Sequence, residues 1–209
     1  MVLAALVIAA AAVWGVVAPE PVASVLRDLG VWWAVAGGWA IDVWLGEQTR
    51  AHHDVEVVVR RQDQTAVRDA LVFTHQLQCL DPPGSAWRPW DGQTLQAPAF
   101  QVQARSPETT FDVFLENVHD GVWHFRRDER VRRPLEEFVT LSDTGIPVVR
   151  PEVQLLYMAK STDDKNEHDF RVTRPRLDHD AARWLARSLA VAHPGHRWLE
   201  ALRPGLRER

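Results

Sequence analysis

Cysteine is nearly missing from this chain. Cys79 is the only one among 209 residues, so an intramolecular disulfide is impossible and a cysteine-based zinc centre is excluded. That usage fits a reducing compartment, and a cytoplasmic location is expected. Lysine is almost as scarce, because of 24 basic residues only Lys160 and Lys165 are not arginine. Positive charge is not in excess either: the formal net charge is -4 and the pI is about 6.1. Nothing sums to the strong positive field of a dedicated nucleic-acid binder, and no nucleic-acid partner is expected. No internal repeat is visible, and no low-complexity stretch lies beyond the first eighteen residues.

What is present is enough for a real core. Hydrophobic residues make up 46% and charged residues 25%, which rules out a collagen-like or wholly disordered chain. Ten tryptophans accompany a single tyrosine; they read first as core filling and second as stacking surfaces, with Trp87 and Trp90 the exposed candidates. Residues 1–18 carry no charge and are rich in alanine. Without a positive leader they read as a buried or loosely attached helix rather than a span or signal, an over-extended start being a third reading. Membrane association is not expected.

Turn residues and periodicity divide the remainder. Residues 22–29 read as an amphipathic helix ending at Gly30, and the compact run 31–36 as a buried strand. Gly37-Gly38 interrupts it before a helix over 39–45. A second strand is expected over 54–59, a helix over 63–73, and a loop rich in Pro, Gly and Trp over 81–98. Over 111–116 the alternation sends Phe111, Val113 and Leu115 one way and Asp112, Phe114 and Glu116 the other. Residues 122–133 read as a strand pair whose arginines, interrupted by Asp128 and Glu129, form a solvated face. After Gly145-Ile146-Pro147 the pattern becomes helical, over 151–160, 178–189 and 197–202.

Chemistry concentrates in residues 35–59. A glycine pair between strand and helix lets backbone N–H groups approach an anion, although tight packing explains such a pair equally well. Asp54 and Glu56, at i and i+2 on an apolar strand, project from one face. Either that face is solvated, or a divalent cation compensates the acids. Asp112, on a third apolar strand, supplies a further carboxylate. Such crowding should raise the pKa of at least one acid when no metal is bound. His52-His53-Asp54 and His193-x-x-His196 offer a zinc reading, which is disfavoured because nothing joins the two groups.

The pattern A-G-G-W-A-I-D-x3-G-x2-T-R-x-H-x-D-V-E-V, from Ala36 to Val57, resembles the nucleotidyltransferase superfamily with the polymerase-β-like core. Within it, the chain is similar to the aminoglycoside 2″-adenylyltransferase and lincosamide nucleotidyltransferase group. Three later blocks support this: Gly145-Ile146-Pro147 with Pro151-Glu152-Val153-Gln154-Leu155-Leu156-Tyr157, Lys165-x-Glu167-His168-Asp169-Phe170, and Pro194-Gly195-His196-x-Trp198-Leu199. The resemblance implies an α+β fold: a mixed sheet flanked by helices over 22–148, a helical section over 149–209, and the apolar segment 1–21 ahead of both. It implies that Gly37 and Gly38 hold a nucleoside triphosphate, expected to be ATP. Asp54 and Glu56 would bind Mg²⁺, with Asp112 as third ligand and general base. Lys160 and Arg50 would lie near the phosphates, and Glu116 is a candidate contact for a cationic acceptor.

The implied reaction moves a nucleoside monophosphate to a hydroxyl of a small molecule, in the manner of enzymes acting on aminoglycosides or lincosamides, and releases pyrophosphate. Three departures bear on rate and substrate: Glu56 for the commoner aspartate, Met158 where a further lysine is frequent, and Asn166 for an aspartate. They leave an alternative, a catalytically weak or inactive protein of this fold serving as a nucleotide-binding or interaction module. A metal-dependent phosphohydrolase using the same acids is a third reading, with no His/Asp framework of its own.

Overall fold

The computed structural model describes residues 18–202; the apolar run 1–17, read above as a helix, lies outside them. Helix α1 (Pro19–Arg27) starts with proline in its first turn and buries Val22, Ala23 and Leu26. Strand β1 (Trp33–Ala36) is buried throughout and passes directly into α2 (Gly37–Leu45), which ends on Gly46 in a left-handed conformation. Strand β2 (Val55–Arg60) and helix α3 (Gln64–Leu71) follow. All agree with the hydrophobic spacing, because each buries one continuous apolar face.

Next come β3 (Gln76–Leu80), β4 (Arg88–Pro89), β5 (Gln101–Arg105) and the long β6 (Thr110–His119). Strands β7 (Val122–His124), β8 (Arg132–Pro134), β9 (Val139–Leu141) and β10 (Pro147–Val149) complete the sheet. Its order is β4-β3-β5-β6-β2-β1-β10-β9, with β7 and β8 attached beyond the end of β6. The sheet is mixed: β2 runs parallel to β6 and β1 to β10, while β1 and β2 are antiparallel. Helices α4 (Pro151–Met158), α5 (Asp164–Thr173), α6 (His179–Ala192) and α7 (Trp198–Leu202) form the helical end, where α4 packs on α2, α5 and α6. The architecture is α+β, as expected.

Strands β3 and β5 and helix α5 were not legible in the sequence. Gln76–Leu80 and Gln101–Arg105 alternate glutamine with apolar residues, so each looks polar until its neighbours are known. No helix among the described residues is long and apolar enough to cross a membrane.

Candidate active site

The site is built where β1 meets α2. Gly37 has φ +66, and a β-carbon there would overlap the Glu56 carboxylate. A side chain is excluded both by backbone conformation and by space. At Gly38 a β-carbon would run into the Arg50 guanidinium and the His52 ring. The two glycines therefore admit Glu56 on one side and Arg50 with His52 on the other. No side chain caps the start of α2 and its first turn holds no acid, which leaves the positive end of the helix dipole facing the cleft. The Gly37 N–H itself donates to Gln154 Oε1 at 3.0 Å, tying this turn to α4.

Behind the turn lies a closed polar network. Asp42, fully buried, accepts from Thr49 Oγ1 at 2.6 Å and faces His52 Nε2 at 2.5 Å. His52 Nδ1 faces Arg50 Nη1 at 3.1 Å; a guanidinium only donates, so Nδ1 accepts and the ring proton points to Asp42. Arg50 also holds Asp169 of α5 through two hydrogen bonds of 2.8 Å. Expected beside the phosphates, Arg50 lines the cleft, but its fork is committed to this bidentate pair.

The cleft encloses about 330 Å³ and brings together Gly37, Gly38, Asp54, Glu56, Glu116 and Lys160. Glu56 and Asp112 are register partners on parallel strands, so both carboxylates project from one face with Asp54. Burial raises the Glu56 carboxyl to about 7, helped by the neighbouring charges of Asp54 and Asp112. Burial also raises Asp112, with a further contribution from Asp54, against hydrogen bonds from Gln103 and Gln101 that lower it. Lys160 is lowered by burial and by Arg127 and Arg126 close by.

The three acids do not form the ready-made triad that the sequence suggested. Among the described residues no three His, Cys, Asp or Glu side chains gather closely enough to hold a metal. The reason is local: Gln101 Nε2 donates to Asp112 Oδ2 at 2.8 Å and Gln103 Nε2 to Oδ1 at 2.9 Å. Both amides come from β5, the strand that sequence reading passed over. In donor chemistry the set suits a hard divalent cation, being all carboxylate oxygen. In geometry it requires Asp112 to turn away from the two amides.

Two residues were missed. Arg126 and Arg127, read as part of a solvated face, line the cleft instead, because residues 125–131 form the connection between β7 and β8 rather than strand. Arg126 bonds Glu116 at 2.9 Å and lies 4.3 Å from the Phe100 ring centroid and 4.4 Å from that of Tyr157. Arg127 donates to the Tyr157 carbonyl at 2.9 Å; burial and the adjacent Arg126 lower it to about 10. Glu116 is fully buried and accepts from Trp123 Nε1 at 2.8 Å and Tyr157 OH at 2.5 Å as well as from Arg126. The spacing Phe114-x-Glu116 opposite a lone tyrosine was the available signal. Of the exposed-aromatic candidates, Trp90 is buried and Trp87 is partly exposed.

Residues 20–81 match the aminoglycoside-2″-adenylyltransferase family. No curated protein matches the sequence significantly. Among solved structures the chain is similar to a lincosamide antibiotic adenylyltransferase, LnuA, at 16% identity and TM-score 0.55, over 76% of this chain and 95% of that one. It is also similar to the antibiotic-resistance factor ANT(2″)-Ia, at 12% identity and TM-score 0.52, over 88% and 98%. At such identities the likeness is one of fold. The chain has the nucleotidyltransferase fold shared with these antibiotic adenylyltransferases and, over residues 20–81, resembles the aminoglycoside-2″-adenylyltransferase family.

Proposed function

We propose that this chain is a nucleotidyltransferase that moves a nucleoside monophosphate, AMP from ATP, to a hydroxyl of a small antibiotic-like acceptor and releases pyrophosphate. The observation that carries the reading is the carboxylate face of Asp54, Glu56 and Asp112 set against the glycine turn at the start of α2. A carboxyl raised to about 7 by burial, with two further acids beside it, is a site that gains by binding a cation. Asp54, Glu56 and a released Asp112 would hold Mg²⁺, which when bound supplies charge neutralisation for the triphosphate. Gly37 and Gly38 would let the triphosphate approach the helix terminus, while Lys160, with Arg127 beside it, would hold phosphate oxygens. Asp112 would accept the hydroxyl proton, a role worth about 10²–10⁴ in rate.

The test is pyrophosphate release with Mg²⁺ across nucleoside triphosphates and a panel of aminoglycosides, lincosamides and other hydroxyl compounds, with Asp54→Ala as control. Calorimetry supplies a second readout: triphosphate affinity should depend on Mg²⁺ and on Asp54. Equal affinity with and without metal overturns the reading. One observation favours the alternative of a weak or inactive nucleotide-binding module, namely the double amide hold on Asp112. Nucleotide binding without turnover on any acceptor is its signature.

A further inference from the structure

Resting on the nucleotidyl-transfer reading, the cleft walls bear on the chemistry of the acceptor. In-line displacement puts the incoming hydroxyl and the leaving pyrophosphate on opposite sides of the reacting phosphorus. In the sheet, Glu56 of β2, with Asp54 just ahead of the strand, has the end of β1, with Gly37 and Gly38, on one flank, and β6 then β5 on the other. A triphosphate tail at the glycine turn leaves the acceptor to meet the β6–β5 flank.

That flank is aromatic, and its one guanidinium is paired with a carboxylate. Phe100 and Phe114 stack at 6.0 Å with an interplanar angle of 23°, and the Arg126 guanidinium lies over Phe100 and Tyr157. Glu116 is the carboxylate there, and its two oxygens already take three donors, from Trp123, Tyr157 and Arg126. Asp112 behind it is held by two amides. A polyamino sugar brings several ammonium groups, each of which must exchange hydration for an acceptor or anion of comparable strength. On this flank the one guanidinium and the Glu116 carboxylate are committed to each other, and no uncommitted carboxylate remains for an ammonium. The flank does offer apolar rings, on which a ligand with an apolar face gains by desolvation.

We infer that the acceptor is a small hydroxyl compound with an apolar face and at most one positive charge, and not a polycationic amino sugar. The experiment loads the protein with Mg²⁺ and a non-hydrolysable ATP analogue, and measures binding calorimetrically at about 0.15 M salt, where exposed charge pairs are screened. Lincomycin and chloramphenicol represent the first class, tobramycin and neomycin the second. At least one of the first pair should bind tenfold or more tightly than either polyamine. Phe100→Ala, and the gentler Phe100→Leu that keeps bulk without the ring, should each weaken that binding at least threefold.

Tighter binding of a polyamine, absence of binding by both compounds of the first class, or indifference to Phe100→Leu overturns the inference. The loading step is read separately. Failure of the nucleotide analogue to bind overturns the nucleotidyl-transfer reading and this inference with it; tight tobramycin binding on a loaded protein overturns this inference alone.

Discussion

Two pairs of acids, close together in the fold, are treated in opposite ways. Asp42 and Asp169 are buried, and every charge is answered: Thr49 and His52 for the first, the Arg50 fork for the second. Asp54 and Glu56 stand on the other side of the same glycine turn, and among the described residues neither makes an ion pair. Instead burial, helped by the charges of Asp54 and Asp112, pushes Glu56 to about 7. Paired acids hold α5 against the α2–β2 connection. Neither of the unpaired ones holds elements together; Asp54 is exposed, and a fold that keeps Glu56 inside without an ion pair retains a local cost for something that binds.

The comparison can be broken first at Asp112. Asp112→Asn keeps size and can still bond one of the two glutamines, so the protein should fold, while turnover on a good acceptor falls by about 10²–10⁴. Matched thermal melts and pyrophosphate assays check this, and a mutant of near-normal turnover removes Asp112 from the chemistry.

On the paired side the loss should appear as stability. Asp169→Ala leaves the Arg50 fork without its partner and should cost about 3–5 kcal/mol in urea unfolding. A cost below 1 kcal/mol would make the two pairs alike.

Glu56 should behave in the reverse sense. Its folded carboxyl titrates near 7 against 4.5 in the unfolded chain, so between those values the folded state binds more protons. Metal-free stability therefore falls as pH rises through this window, and the full penalty, on the order of 3 kcal/mol, is present above it. Glu56→Gln should raise the metal-free melting temperature at pH 8 and change little at pH 4.5. In the wild type, Mg²⁺ affinity should climb from pH 6 to pH 8 as the competing proton leaves, a trend that calorimetry follows directly.

The smallest effect belongs to Asp163, which caps α5 by accepting from the Asn166 N–H at 3.0 Å. Asp163→Ala should cost about 1 kcal/mol, and a silent change would leave the anchoring of α5 to its tertiary contacts, the Arg50–Asp169 pair, the Asn166 amide and the Phe170–Trp198 stack.

Much of this was readable beforehand, for reasons that differ by residue. Gly37, Gly38, Asp54 and Glu56 lie within twenty residues of one another, so strand and helix periodicity alone set their faces. Arg126 was misread because its neighbours in sequence are charged, whereas its neighbours in space are Phe100, Tyr157 and Glu116. That Arg50, expected beside the phosphates, is also held by Asp169 was not legible, because the two lie 119 positions apart. The amide hold on Asp112 was not legible, because Gln101 and Gln103 reach it only across the β5–β6 pairing.

The sequence by itself determined which carboxylates share a face and where the glycine turn admits them, since side-chain alternation and backbone conformation are properties of short segments. Whether each charge has a partner was decided only by the tertiary structure. Pairing at 3 Å depends on which strands and helices become neighbours, and that is settled by the packing of the whole core. The satisfied Asp42 and Asp169 and the strained Glu56 are the same chemistry, separated by what the fold set beside them.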